Sequence, residues 1–139
     1  MKYTGRFPKV WFLTLMLVFF AFSSGCGMFS GSDVDAVVEE LGYGDAPEPI
    51  DLEQGEYLRL VVRDPGSGGY VFSGTVFDPA VLDLVKVYDQ KPESGLMGDF
   101  GSRNYLFRAV KTGETEVVIK IARPGQEPEE YQRQPVTVE

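Results

Sequence analysis

Short apolar stretches separated by glycine- and proline-rich turns fill the chain from residue 50 onward, and they constrain its fold more than any other feature. Leu58, Leu60 and Val62 lie two residues apart, which puts their side chains on one face of an extended strand. Further stretches of this kind follow, separated by breakers such as residues 64–69, and no long helical pattern intervenes. The spacing predicts about seven strands over residues 50–139, arranged as an all-β sandwich of immunoglobulin size.

The core of such a sandwich has to rest on packing alone. The chain has one cysteine, so it cannot form the disulfide that joins the two sheets of antibody domains. Burial of apolar side chains then stabilises the fold, at about 25 cal/mol per Å². The aromatic residues expected in the core are Tyr70, Phe72, Phe77, Tyr105 and Phe107. The sequence of residues 111–114 is typical of a hairpin-like turn. In the strand that follows, Val117, Ile119 and Ile121 are expected to point inward.

The start of the chain has the three parts of a secretion signal. Lys2, Arg6 and Lys9 precede an apolar run at residues 10–22, which is shorter than the roughly 20 residues that a helix needs to span a bilayer. Small residues then lead to Cys26. The pattern predicts a signal that directs export.

The position of Cys26 resembles the lipobox of bacterial lipoproteins. The resemblance implies that residues 1–25 are removed as a signal peptide and that the thiol of Cys26 is acylated, for example with palmitate. Ser23 departs from the aliphatic residue that usually stands three places before the cysteine. An uncleaved signal anchor, or a cysteine at this place by chance, are the alternatives.

Residues 26–49 are predicted to form a lipidated tether, because glycine, proline and acidic residues dominate them. Within the tether, residues 32–41 have a helical spacing of apolar side chains. Ser32 or Asp33 could cap the start of a helix there, and Gly42 could end it. We therefore expect a short helix in the tether, ahead of the sandwich.

Residue counts exclude several classes of site. Without histidine the chain cannot contain a Ser-His-Asp triad, a Cys-His dyad or a His-ligated zinc. No spacing resembles a calcium loop, so we expect neither a metal nor another non-covalent cofactor, and no enzyme activity. Removing residues 1–25 takes three of the 13 basic residues and none of the 21 acidic ones, which changes the net charge from −8 to −11. Such a surface repels nucleic acid.

Three glycine- or proline-containing loops recur between the predicted strands. The first is Asp64–Tyr70, and the second is Gly95–Gly101, just before Tyr105–Gly113. The third begins with Arg123-Pro124-Gly125. Their order and spacing resemble the chagasin-type inhibitors of papain-like cysteine peptidases, whose motifs are Asn-Pro-Thr-Thr-Gly-Tyr, a glycine-rich loop before Phe-x-Phe-x-Ala, and Arg-Pro-Trp.

The resemblance implies that the three loops meet at one end of an immunoglobulin-like sandwich and form a wedge in the peptidase cleft. Glycines let the backbone approach the enzyme closely, and Pro65 reduces the conformational freedom that is lost on docking. The residues expected to contact the peptidase are Asp64, Pro65, Gly66, Ser67, Gly68, Gly69, Tyr70, Gly98, Gly101, Arg123, Pro124 and Gly125.

Several of these residues depart from the family pattern. Asp64 replaces asparagine, the first loop is one residue longer, and Ser67 and Gly68 stand in place of the threonines. A carboxylate in a closed cleft must be desolvated, which costs free energy unless it is paired. Gly125 replaces tryptophan. Loss of a central aromatic anchor can cost about 2 kcal/mol, roughly 30-fold in affinity.

The sequence thus predicts a monomeric, lipid-anchored inhibitor of papain-like cysteine peptidases. Gly27, where some sorting signals have aspartate, favours the outer membrane facing the periplasm over the inner membrane. One alternative is an envelope lipoprotein that uses the sandwich as a scaffold or protein-binding module without inhibiting anything. Another is a carbohydrate- or peptide-binding sandwich with exposed Phe100 or Tyr131 as its platform.

Overall fold

The structure, a computed structural model, describes residues 34–42, 47–92 and 94–139. Over these ranges the chain forms eight strands and one turn of 3₁₀ helix at Gly66–Gly68. The strands are β1 (Ala36–Leu41), β2 (Ile50–Leu52), β3 (Tyr57–Arg63), β4 (Val71–Val76), β5 (Leu82–Gln90), β6 (Ser102–Ala109), β7 (Gly113–Ala122) and β8 (Glu129–Val138).

Two four-stranded sheets make up the sandwich. One sheet has the order β1-β3-β6-β5 and the other has the order β2-β8-β7-β4. Each sheet has two antiparallel pairings and one parallel pairing, because the edge strands β1 and β2 run parallel to β3 and β8. The all-β sandwich is confirmed, and seven of its strands lie in residues 50–139 as expected.

The core lies between the two sheets and follows the alternation of the sequence. Leu58, Leu60 and Val62 are fully buried, because every second residue of β3 points inward. Val117, Ile119 and Ile121 do the same from β7. Two of the predicted aromatic residues, Tyr105 and Phe107, are buried, while Phe72 and Phe77 pack against the core from its margin. The Phe77 ring meets Phe107 edge to face at 5.2 Å between centroids, a favoured aromatic geometry.

The short helix predicted within residues 32–41 is wrong, because residues 36–41 form strand β1. This strand pairs in parallel with β3 from Ala36 to Leu41. A helix of this length is marginal in water, and β-branched Val37 and Val38 favour the extended form once a sheet edge can bond their backbone. Leu41 is buried in the core. The folded unit therefore begins within the segment that the sequence assigned to a tether.

Residues near the end of that segment are also bonded to the sandwich. The side chain of Gln134, which is buried, donates through Nε2 to the carbonyl oxygen of Glu48 at 2.7 Å. The same nitrogen lies 3.0 Å from the carbonyl oxygen of Pro135. The start of β2 is thus held against β8 by a side chain as well as by backbone pairing.

The turn after β6 does not close a hairpin, contrary to expectation. β6 and β7 belong to different sheets, so residues 110–112 carry the chain across the core. Gly113, the first residue of β7, has φ = +153°, and a Cβ there would come within 3.1 Å of a Val81 methyl group. Because position 113 is a glycine, the segment that connects the two sheets can pass close to Val81.

The predicted signal peptide, residues 1–25, and Cys26 lie outside the described residues, as does half of the expected tether. Within the described ranges, no helix is long and apolar enough to cross a bilayer.

Candidate functional site: three loops at one end of the sandwich

Strand register brings the three predicted loops to the same end of the molecule. We define loop 1 as residues 64–70, loop 2 as residues 91–101 and loop 3 as residues 123–128. The last residue of β3, Arg63, is opposite Ser102 at the start of β6, and Ser102 is also opposite the last residue of β5, Gln90. In the other sheet, Val71 is opposite Ala122, so loop 1 ends where loop 3 begins. We call this end of the sandwich the loop end.

Loop 1 is closed by its own hydrogen bonds. The carboxylate of Asp64 accepts the backbone N–H of Gly66 at 2.8 Å, the geometry of an Asx turn. The single 3₁₀ turn follows, and Gly69 ends it in the left-handed conformation at φ = +77°. A residue with a Cβ would be strained at that φ. The side-chain oxygen of Asp64 therefore shapes the loop, and the loop has more internal order than its glycine content suggests.

Loop 1 and loop 2 touch along one side. The backbone N–H of Asp64 donates to the carbonyl oxygen of Gly101 at 3.0 Å. The ring of Phe100 lies beside Gly66, where a Cβ would come within 3.4 Å of it. Gly101 is required by its surroundings, because its φ is +83° and a Cβ would lie 2.3 Å from the carbonyl oxygen of Gln90.

Loop 1 and loop 3 touch along the other side. The guanidinium of Arg123 lies over the ring of Tyr70, 4.3 Å from its centroid, in a cation–π contact. Gly68 lies next to both side chains. Tyr70 was expected in the core as well as at the site, and the core assignment is wrong: its ring is half-buried under Arg123 and joins the two loops.

Loop 3 begins with a tight turn. The N–H of Gln126 donates to the carbonyl oxygen of Arg123 at 3.0 Å, with Pro124 and Gly125 between them. Gly125 has φ = +80°, as the third residue of a type II turn requires. Because a tryptophan would be strained at this φ, the turn accounts for the glycine found here instead of the family's aromatic residue.

Loop 2 carries a feature that sequence reasoning missed. Its turn is closed by the Ser94 hydroxyl, which donates to the carboxylate of Asp99 at 2.5 Å. This hydrogen bond, together with one from the N–H of Gly101, lowers the pKa of Asp99 below its usual value. The loop so formed presents Leu96 and Met97 to solvent. Leu96 and Met97 are apolar and stand close to Gly98, a predicted site residue. That combination is the sequence signal that could have identified them.

A polar and aromatic cluster closes the core beneath the loops. Arg103 donates to both carboxylate oxygens of Asp89, at 2.6 and 2.9 Å, and this pairing lowers the pKa of Asp89. Its guanidinium also lies 4.7 Å from the Phe72 ring centroid. Burial raises the pKa of the neighbouring Tyr105. The loops thus stand on a base that side chains from both sheets hold together.

Tyr131 belongs to this base, and the expectation that it is an exposed platform is wrong. Its ring meets Phe72 edge to face at 6.2 Å, and its hydroxyl donates to the carbonyl oxygen of Arg63 at 3.2 Å. Phe100, the other aromatic residue proposed as a platform, is exposed but lies against loop 1.

All twelve predicted contact residues lie on the three loops, which are adjacent. Asp64, Gly66 and Gly101 join loops 1 and 2, while Tyr70 and Arg123 join loops 1 and 3. Gly69, Gly98 and Gly125 adopt positive φ in open surroundings. The remaining predicted residues are Pro65, Ser67, Gly68 and Pro124, of which Ser67 and Gly68 are exposed at the tip of loop 1.

The chemistry available at the loop end is that of recognition. In the part of the chain that the structure describes, no group of acidic, histidine or cysteine side chains could hold a metal ion. What the loops offer is glycine backbone, a stacked Arg123 and exposed apolar side chains. Such groups suit a surface that inserts into a complementary groove.

Comparisons with known proteins agree with this architecture. Among solved structures, the cysteine protease inhibitor EhICP2 from Entamoeba histolytica is similar at 18% identity and a TM-score of 0.55, over 76% of this chain and 98% of its own. PbICP-C, solved in complex with falcipain-2, is 17% identical with a TM-score of 0.46, over 75% of this chain and 100% of its own. No curated protein sequence gives a significant match.

The sequence profile of the chagasin family of peptidase inhibitors, I42, matches residues 51–138. The match covers β3 to β8 and all three loops. The chain therefore belongs to the chagasin family, whose members are peptidase inhibitors and not enzymes.

Proposed function

We propose that this protein is a reversible inhibitor of papain-like cysteine peptidases and that loops 1, 2 and 3 enter the active-site cleft together. The observation that carries the proposal is the contact of loop 1 with both neighbours, through Asp64 and Gly101 on one side and Tyr70 and Arg123 on the other. Three separate bends thereby form one edge. A monomer suffices, with one inhibitor bound to each peptidase.

The shape of loop 1 explains how it could occupy a peptidase cleft without being cut. A peptidase binds its substrate extended, whereas residues 66–68 form a 3₁₀ turn and Gly69 is left-handed. The backbone of loop 1 is therefore held away from the extended geometry that a peptide bond must adopt to be cleaved. Because Asp64 already accepts the N–H of Gly66, its carboxylate keeps a hydrogen-bond partner when water is excluded, which reduces the cost of desolvation.

Inhibition of papain by the purified protein tests the proposal. We expect reversible inhibition that recovers on dilution, with no cleavage of loop 1. Absence of inhibition across a panel of papain-like enzymes, at high micromolar inhibitor, would contradict it.

A matched pair of glycine variants separates loop contact from loop strain. Gly69→Val and Gly55→Val both put a β-branched residue at positive φ in open surroundings, at +77° in loop 1 and at +96° between β2 and β3. Each should lose a similar stability, about 1–2 kcal/mol. Only Gly69→Val should weaken inhibition, by at least tenfold, while an equal loss in both variants would mean that loop 1 is merely structural.

The proposal includes a lipid on Cys26 and an envelope location, with the outer membrane facing the periplasm as the expected site. The basic start, the short apolar run and the small residues before Cys26 support it. Strand β1 begins at Ala36, paired with Tyr57 at the end of the sandwich remote from the loops. A chain tethered through Cys26 therefore enters the fold there, and the loop end can face away from the bilayer.

Fractionation of cells that express the wild-type chain and Cys26→Ser tests the anchor. We expect labelled palmitate and outer-membrane fractionation for the wild type, and neither for the variant. Membrane association of Cys26→Ser through an unprocessed start of the chain would favour the signal-anchor alternative.

Gly125 favours one second candidate, a sandwich that acts as an envelope scaffold or protein-binding module. The turn at Gly125 leaves loop 3 without the aromatic anchor of the family. Affinity capture from an envelope fraction distinguishes the two functions, because recovery of envelope assembly components without any peptidase would support the scaffold.

A further inference from the structure

The outer surface of the β1-β3-β6-β5 sheet is basic, although the chain as a whole is acidic. Leu58, Leu60 and Val62 of β3 point into the core, so the residues between them point outward. The strand register places residues of β1, β5 and β6 on the same side. The charged residues on this side are the basic Arg59, Arg63, Lys86 and Arg108 and the acidic Glu40 and Asp83. We call this surface the basic face.

The outer surface of the other sheet carries the opposite sign. Its charged residues are the basic Lys120 and Arg133 and the acidic Asp51, Glu114, Glu116 and Glu130. Arg133 forms salt bridges with Glu116 and Glu130, so its charge is neutralised within the sheet. The sandwich therefore has one basic side and one acidic side.

The arginines of the basic face are not paired with acids. Of the six arginines in the described ranges, three are held by carboxylates or by the ring of Tyr70. The other three, Arg59, Arg63 and Arg108, all lie on the basic face and form no salt bridge with a described residue. The Nε atom of Arg59 is also buried without a hydrogen-bond partner there. The face thus holds positive charge that the fold does not neutralise by pairing.

Aromatic and amide side chains lie among these cations. The ring centroid of Tyr88 in β5 is 5.3 Å from Nζ of Lys86, and Tyr88 is next to Asn104 of β6. Asn104 is 1% exposed, and among the described residues neither polar atom of its side chain has a partner. Buried polar groups nearly always have one. Tyr57, opposite Arg108, adds a second ring with a polar tip, a type of side chain that suits the boundary between lipid and water.

The basic face belongs to the sheet that the chain enters from Cys26. β1 is the edge strand of this sheet, and Val34, just before it, is eight positions after Cys26. A chain extends by at most roughly 3.6 Å per residue, so the two residues are at most about 29 Å apart. A chain held at a bilayer through its first 26 residues keeps this sheet near the headgroups. The short link gives the surface a high effective concentration there, so weak contacts suffice.

We infer that the basic face rests on the anionic headgroups of the bilayer to which the chain is tethered. The inference rests on the proposed membrane attachment and not on peptidase inhibition, and an uncleaved signal anchor would hold the chain at the same surface. Basic residues are attracted to an anionic leaflet over about one Debye length, roughly 8 Å at physiological salt. A flat sheet lets several cations come that close together. The bilayer repels the acidic side, which favours this orientation over the reverse.

Docking through the basic face leaves the inhibitory loops accessible. The sandwich lies on its side, and the loop end projects along the bilayer because the strands run parallel to it. Membrane docking and peptidase binding then use separate surfaces of one domain.

Hydroxyl-radical footprinting tests the inference, because it reports the exposure of individual side chains. The full chain is reconstituted in vesicles of phosphatidylcholine alone and of phosphatidylcholine mixed with phosphatidylglycerol. We expect at least threefold slower modification of Tyr57 and Tyr88 in the anionic vesicles. Tyr70 on loop 1 and Val76 on the acidic side should be modified equally in both. High salt should abolish the difference.

A matched pair of double variants separates the charge of the face from the net charge. Arg59→Gln with Arg108→Gln removes two charges from the basic face, and Lys111→Gln with Lys120→Gln removes two from elsewhere. Only the first should lose the protection of Tyr57 and Tyr88. Both should keep papain inhibition and the melting temperature of the wild type.

The outcomes distinguish this inference from the proposed function. Equal protection in both kinds of vesicle, protection in neither, or protection that survives Arg59→Gln with Arg108→Gln would overturn it. Protection of Tyr57 and Tyr88 by papain instead of by vesicles would assign the basic face to a protein partner and overturn it as well. The expected footprint without papain inhibition would overturn the proposed function alone.

Discussion

The two ends of the sandwich are built differently. At the end opposite to the loops, residues 53–56 and residues 77–81 are each joined to residues 109–112 by backbone hydrogen bonds. Gly55 donates to Ala109, Ala109 donates to Glu56, and Val110 donates to Val81. At the loop end, among the residues that the structure describes, one backbone hydrogen bond, from Asp64 to Gly101, links different loops, and the other contacts described above involve side chains. We call the first end the opposite pole. The opposite pole joins the sheets, whereas the loop end presents a surface.

A core substitution near the opposite pole should give the largest effect on stability. Leu82 is fully buried and is paired with Ala109. Leu82→Ala should lower the free energy of unfolding by about 2–5 kcal/mol, because it leaves a cavity. Inhibition of papain, measured at a temperature at which the variant is still folded, should be unchanged. A parallel loss of inhibition would mean that the two ends are coupled.

Gly101→Ala should give the largest effect at the loop end. Its Cβ would collide with the carbonyl oxygen of Gln90, so the base of loop 2 must shift. We expect a loss of about 1–3 kcal/mol in stability and more than tenfold weaker inhibition. Gly98→Ala is the control, since it has φ = +95° with open space around it and should cost about 1 kcal/mol. Chemical denaturation measures the loss of stability, and papain titration measures the loss of inhibition. Equal losses in the two variants would show that the collision with Gln90 does not matter.

Removing the aromatic face of Tyr70 should have a smaller effect. Tyr70→Leu keeps the apolar volume but removes the cation–π contact with Arg123, which is worth about 0.5–1 kcal/mol at an exposed site. We expect inhibition to weaken by about two- to fivefold, with little change in melting temperature. A large drop in melting temperature would contradict this and indicate that Tyr70 is a core residue.

The smallest effect concerns pH and loop 2. The pKa of Asp99 lies below the ordinary 3.8, because Ser94 and Gly101 donate to the ionised carboxylate. The stabilisation of the loop by this carboxylate is therefore complete above pH 3.8 and is lost as the pH falls through the lowered pKa. The amide resonance of Gly101 should report this titration by NMR, and Ser94→Ala should shift its midpoint upward. An unchanged midpoint would show that Ser94 does not hold the carboxylate.

The strands and the position of the loops could be predicted because both depend on local patterns. The spacing of Leu58, Leu60 and Val62 indicates which face of β3 is inward, and glycine- and proline-rich breakers show where strands end. The convergence of the loops came from the resemblance to the family. The register of Arg63, Gln90 and Ser102 gives it a physical basis.

The errors arose where long-range pairing decides the structure. Residues 36–41 have a helical spacing, but a free edge of β3 makes them a strand. The turn at residues 110–112 resembles a hairpin, although the partner strands lie in different sheets. Tyr70 looks like a core residue until Arg123, more than fifty positions away, is seen to lie over it. The hydrogen bonds that expose Met97 likewise appear only in the folded loop.

Hydrogen–deuterium exchange of the full chain, with and without papain, tests most directly whether the loop end is the peptidase-binding surface. The account predicts slower exchange in residues 64–70, 94–101 and 123–128 on addition of papain, with no change in residues 53–56, 77–81 and 110–112. Protection of the opposite pole instead, or inhibition of papain with all three loops unprotected, would contradict it.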